Sequence, residues 1–228
     1  MAHRNVNTGE ATLTYSVRLM VKEDLEQVNV IDHEAFPTQG PPANYRQELQ
    51  NRSAHYIVMC DDTRKFESGA DKTSLQKFDI IAWLMPWTRK RRQTLSIPPP
   101  PSLYICGFSG IWMMVDEAHI TNIAVRQEYQ GKGLGEFLLI ATIDLAVELK
   151  ASFLTLEVRA SNLVAQRLYT KYGFIQMGIR RGYYLDNKED AIIMTTESIS
   201  AETFKARVQE LREALKKRIV PPDDVNTA

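Results

Sequence analysis

The stretch HITNIAVRQEYQGKGLGEFLLIATIDLAVELKASFLTLEVRASN, residues 119–162, decides the fold. It opens on an apolar strand, 119–125. A helical apolar pattern follows over about 133–149, then a second strand, FLTLEV, over 153–158 and a helix over about 162–172. Strand, helix, strand, helix predicts a parallel strand pair joined by a helical crossover. At the first strand–helix junction Gly131, Gly133 and Gly135 alternate. A glycine-rich turn at a helix start leaves backbone N–H groups open and lets a ligand approach, which makes an anion site. The same glycines also suit a tight connection with no ligand. The spacing excludes a dinucleotide GxGxxG, because position 136 is glutamate, and a P-loop, because Gly133 follows Lys132.

Outward from this unit the chain reads as further strands. Downstream, GFIQMGIRRGYY (173–184) and DAIIMTT (190–196) close the domain. Upstream lie YSVRLM (15–20), HYIVMC (55–60), DIIAWLMPW (79–87) and LYICGFSGIWMMV (103–115). Leu25, Val28, Ile31 or Asp32, and Ala35 share one helical stripe, which FPTQGPP breaks. A short polar helix is predicted around Tyr45–Gln50. Residues 61–77 read as a polar inserted loop, and 88–102, with TRKRR and PPPP, as a second insert. The fold class is α/β (α+β): a mixed, mostly antiparallel sheet with a central parallel pair flanked by helices. One domain spans 1–197. Residues 198–228 form an amphipathic helix and tail, with Phe204, Val208, Leu211 and Leu215 on one face. That face is expected to pack on the domain or on a second subunit, as a homodimer.

Composition narrows the partners. Of 228 residues, Lys+Arg and Asp+Glu total 28 each, so no global field favours nucleic acid or an anionic membrane. Neither is expected as a partner. Cys60 and Cys106 form no CxxC pair and no zinc-ligand cluster, so no metal is expected; they read as buried or half-buried thiols in a reducing compartment. No apolar run reaches the ~18 residues a bilayer span needs, and a cytoplasmic location is expected. The four histidines lie at no ligand spacing, and His119, at the start of the HITNIAV strand, receives no role.

The motifs IAVRQEYQGKGLG, EVRASN, LY, YGF, RRGYY and EDAIIM, in this order, resemble the GCN5-related N-acetyltransferase (GNAT) superfamily. Within it the chain is most similar to the RimI group of ribosomal-protein-alanine N-acetyltransferases. The resemblance covers roughly residues 119–196. It implies the GNAT fold and acetyl-CoA as co-substrate. The diphosphate would lie on backbone amides of Gln130, Gly131, Lys132, Gly133, Leu134 and Gly135, and the pantetheine arm beside Ile123, Ala124 and Val125. Asn162, which reads as a helix N-cap, gains a possible contact to that arm.

Glu157 closes the run FLTLE at a strand's C-terminal end, where ligands of open α/β sheets sit; alone it reads equally as a solvated carboxylate. The resemblance assigns it as general base. Tyr169 lies beside the predicted core stripe of Val164 and Leu168; the resemblance makes it the acid that protonates the departing thiolate. Tyr183, Tyr184 and Asp190, in the last hairpin, are implied to grip the acceptor peptide. The chain departs from the group in lacking a tryptophan after FP of the first loop, which bears on peptide choice.

The implied reaction is direct acetyl transfer to a protein's N-terminal α-amine, with no covalent enzyme intermediate and an alanine-starting ribosomal protein as acceptor. Acid–base matching agrees: a carboxylate at ~4.3 is closer to an α-ammonium at ~7.7–8.0 than to lysine at ~10.4. The difference of about 2.5 units is roughly 3.5 kcal/mol in the cost of free amine. Two alternatives stand: a lysine or small-amine acceptor, and a non-catalytic acyl-CoA-binding module.

Overall fold

A computed structural model of the chain describes residues 14–37, 43–66 and 102–219. Seven strands form one sheet: β1 (Tyr15–Leu19), β2 (Ala54–Phe66), β3 (Ser102–Met114), β4 (Glu117–Val125), β5 (Phe153–Arg159), β6 (Phe174–Arg180) and β7 (Ala191–Thr196). Their order is β1-β2-β3-β4-β5-β7-β6. Every neighbouring pair is antiparallel except β4–β5, which is the predicted parallel pair. Among the described residues the α-helices are α1 (Leu25–Ala35), α2 (Tyr45–Glu48), α3 (Leu134–Glu148), α4 (Leu163–Lys171) and α5 (Glu202–Ile219). Helix α3 is the crossover between β4 and β5. Among the described residues no helix is long and apolar enough to cross a membrane.

The sheet is covered on both faces, and the period-2 alternation of a strand shows it. Along β2, Ile57 and Met59 join a core with Leu138 and Leu139 of α3 and Phe204 of α5. Tyr56, Val58 and Cys60 join the opposite core, with Val28 and Ile31 of α1 and Tyr45 of α2. Both cysteines are fully buried free thiols, and burial pushes the Cys106 thiol up to about 12.

Three expectations need correction. Residues 61–66 are strand rather than loop, because Asp61, Lys65 and Phe66 pair with Tyr104, Leu103 and Ser102 of β3. Residues 62–65 are exposed, so their polar composition hid an extended, solvated strand end. Strand β6 stops at Arg180, well short of residue 184. Beyond it Gly182 and Lys188 adopt positive φ, and the chain loops back before β7. On α4, Val164 is 74% exposed, and the buried member of the helix is Tyr169. The expected strand 79–87 and the TRKRR and PPPP segments lie outside the described residues.

The tail helix packs on its own domain. Phe204, Val208 and Leu215 are buried in the core beside α3. Arg212 grips Asp144 of α3 through both carboxylate oxygens at 2.6 and 2.9 Å, and Arg218 reaches Glu136 at 2.5 Å. Ascending α5 thus meets descending α3, an antiparallel pair.

Candidate active site

The site begins where the parallel pair comes apart. Strands β4 and β5 are in register only from Glu117 opposite Phe153 to Ile120 opposite Leu156. Thr121 is then an extra residue: Gly110 of β3 faces Asn122 and Ile111 faces Ile120, which leaves Thr121 as a bulge. A bulge bends its strand. Past it, β4 pairs only with β3 and β5 only with β7. The neighbouring β3 chain tolerates this because Gly110 has no side chain; a Cβ there would lie 2.2 Å from the Tyr56 ring.

The gap is the floor of a cavity of about 1010 Å³. Thr121, Asn122 and Ile123 line it from β4, and Glu157, Val158 and Arg159 from β5. Of the residues expected beside a pantetheine arm, Ile123 lines the cavity. Ala124 is buried, with its backbone paired to Phe108, and Val125 ends the strand. Asn162 caps α4, its side chain accepting from the Ala165 N–H at 3.1 Å, and it also borders the cavity.

From Val125 the chain enters the glycine turn. The Gln130 side chain donates to the Val125 carbonyl at 3.1 Å, and its own backbone N–H donates to Gln127 O at 3.1 Å. The Gln130 amide is therefore spent, and the open run starts at Gly131. Gly131 and Gly133 have φ of 75° and 82°, which an L side chain adopts only with strain. The first bond of α3 runs from Phe137 N–H to Gly133 O, so the amides of Leu134, Gly135 and Glu136 precede the helical ladder. With the N-terminal end of the helix dipole these amides fit a diphosphate. Exposed Lys132 lies 5.2 Å from the Tyr129 ring, beside the turn.

Glu157 sits at the split with its side chain only 8% exposed. One oxygen is 3.0 Å from His119 Nε2 on β4, and the other 3.0 Å from an Arg180 nitrogen at the end of β6. The hydrogen bond from His119 is the main reason its carboxyl is held below the usual range, against burial, which raises it. His119 is oriented in turn: its Nδ1 is 2.9 Å from Thr155 Oγ1, directly across the parallel pair. The Thr155 hydroxyl also bonds the Glu117 carboxylate, and the other ring nitrogen of His119, Nε2, faces Glu157.

Tyr169 borders the same cavity, is 6% exposed and packs with its ring tilted against Phe174 at 5.6 Å. Burial pushes its phenol above the ordinary value, which keeps it protonated. Tyr183 and Tyr184 line the outer wall edge to face at 5.2 Å, the second under the Arg159 guanidinium at 3.8 Å. Asp190 is not brought in: its carboxylate accepts from the Gly182 N–H at 2.8 Å and holds the loop before β7. Sequence reasoning missed His119, Thr155, Glu117 and Arg180. The available signal was position: His119 and Thr155 are register partners, and Glu117 lies two residues from His119 on the same face.

An acetyltransferase (GNAT) family model matches residues 73–174. A Bacillus subtilis (strain 168) protein, named provisionally as a ribosomal protein bS18-alanine N-acetyltransferase, is 34% identical over 180 residues, covering 78% of this chain and 93% of the relative. The ribosomal protein bS18-alanine N-acetyltransferase of Escherichia coli (strain K12) is 46% identical over 92 residues, 40% of this chain and 62% of that protein. Among solved structures, the ribosomal-protein-S18-alanine N-acetyltransferase of Escherichia coli superposes with a TM-score of 0.55 at 26% identity, over 82% of this chain and 97% of that one.

Proposed function

Since the chain belongs to the acetyltransferase (GNAT) family and is an N-acetyltransferase using acetyl-CoA, we propose that its acceptor is a protein's N-terminal α-amine, that of an alanine-starting ribosomal protein. The names of the relatives support this choice, and acid–base chemistry supports it independently. About a tenth of α-amines are already neutral at pH 7, against a far smaller share of lysines. A carboxylate held low, as Glu157 is, is a poorer match for a lysine ammonium than for an amine already close to losing its proton. We place the reaction in the cytoplasm, where ribosomal proteins are made.

The observation that carries the mechanism is the split between β4 and β5, with the open turn at one end and Glu157 at its edge. Acetyl-CoA supplies the acetyl group as a thioester, whose C–S bond breaks as the acceptor nitrogen bonds to the carbonyl carbon. The turn from Gly131 to Glu136 binds the diphosphate, and the free inner edge of β4 beside Ile123 orients the arm. Glu157, fixed by His119, receives the proton of the acceptor nitrogen, directly or through one water. Tyr169 gives its phenolic proton to the leaving sulfur. Arg180 occupies the carboxylate oxygen that an incoming ammonium would meet, so the acceptor displaces a cation by a cation. Tyr183 and Tyr184 flank the approach.

The test is an acetylation assay with alanine-starting ribosomal-protein peptides, free or blocked at the α-amine, read by mass spectrometry. Acetyl transfer to the free peptide alone is expected. Equal transfer to a blocked peptide carrying lysine would overturn the acceptor.

A further inference from the structure

We infer that the C-terminal helix α5 is part of the coenzyme's phosphate seat, with Arg218 as a positioning residue for the glycine turn. The inference rests on the reading of that turn as the diphosphate site. Its starting point is Glu136, a carboxylate in the first turn of α3 and only 7% exposed. An acidic side chain there suits a bare helix end but repels a bound anion. This chain surrounds it with donors: Lys171 Nζ at 2.5 Å and Tyr172 hydroxyl at 2.8 Å on one oxygen, and Arg218 at 2.5 Å on the other. Lys171 and Tyr172 come from the end of α4, within the family match. Arg218 comes from the tail, beyond the matched 73–174.

The same helix end touches the turn itself. A Cβ built on Gly133 would meet Leu215 Cδ1 at 3.2 Å and Ile219 Cγ1 at 3.5 Å. Leu215 is 2% exposed, and the Arg212–Asp144 pair fixes the helix further along. The tail therefore does two things at one place. It backs the left-handed glycine from behind and adds a second cation, beside Lys171, to the Glu136 carboxylate that would oppose a diphosphate on the adjacent amides. Loss of Arg218 would leave one oxygen of Glu136 without its donor and make the seat one charge more negative.

The experiment uses the full chain. Arg218→Gln, at a half-exposed position, is expected to raise the acetyl-CoA dissociation constant and KM on the order of tenfold, as the loss of one positive charge near an anion does. Turnover at saturating coenzyme should stay unchanged. Arg218→Lys should keep most of the affinity. The double variant Glu136→Gln/Arg218→Gln should return to within about twofold of wild type, because the repelling charge is gone. Arg218→Gln binding as tightly as wild type would overturn the inference. So would a double variant as weak as the single one, which would make the effect a packing defect. Wild-type protein that binds no acetyl-CoA would instead overturn the functional reading beneath it, so calorimetry on the unaltered chain comes first.

Discussion

Glu157 divides its two oxygens between His119 and Arg180, and each half has a measurable consequence. Glu157→Gln keeps the shape and removes the proton acceptor, so kcat should fall by roughly 10²–10⁴, the usual range for general-base loss, with acetyl-CoA affinity nearly unchanged. Tyr169→Phe should lower kcat and leave coenzyme affinity intact; full activity in both would remove these assignments. The pH dependence of stability follows from the low carboxyl of Glu157, held there chiefly by His119. A carboxyl lower in the folded than in the unfolded chain stabilises above its unfolded value of ~4.3, and that contribution is lost as pH falls through the folded value. Thermal midpoints measured from pH 7 to pH 3 should therefore drop more steeply below about pH 4 in wild type than in Glu157→Gln. Glu157 itself was legible in the sequence because it ends an apolar strand inside a recognisable motif. Its partners were not: His119 and Arg180 lie on other strands, and only the sheet order brings them together. The same limit explains Asp190, which sits in a matching motif yet turns its carboxylate to the Gly182 amide.

At the level of elements, the glycine turn and the β4 bulge do different work, and they differ in legibility. The alternating glycines announce themselves, and two of the three adopt left-handed φ. Gly133→Ala should cost roughly 1–2 kcal/mol, the penalty of an L residue in that region, read as a lower urea midpoint. It should also weaken acetyl-CoA binding, because the added methyl presses on Leu215. The bulge at Thr121 left no mark, since nothing in HITNIAV separates a bulged strand from a regular one. Its effect depends on what the neighbouring strand does, as with the register shift between Gly110 and Ile111. Strand β2 was under-read for a related reason: its last residues are exposed on both faces, and alternation cannot be seen where nothing is buried. The parallel pair and its crossover were readable because α3 and the strands around it carry long apolar runs.

Across the whole molecule, the tail closes one side of the core. Phe204 is 1% exposed among residues of α3 and the sheet. Phe204→Ala should lower unfolding free energy by about 3–5 kcal/mol, as measured by urea denaturation, the range for a buried phenylalanine. The amphipathic pattern of the tail was plain in the sequence, but its choice of surface was not, because an apolar stripe does not name its partner. Cys60 and Cys106 carry a practical consequence of this layered arrangement. Both are wholly enclosed, one in each apolar layer, and burial raises each thiol. An alkylating reagent added to the native protein should find neither sulfur, and modification should proceed only through molecules that have opened. The two atoms thus serve as a built-in clock for breathing on either side of the sheet. Phe204→Ala should speed up the one beneath the tail, Cys106, more than Cys60.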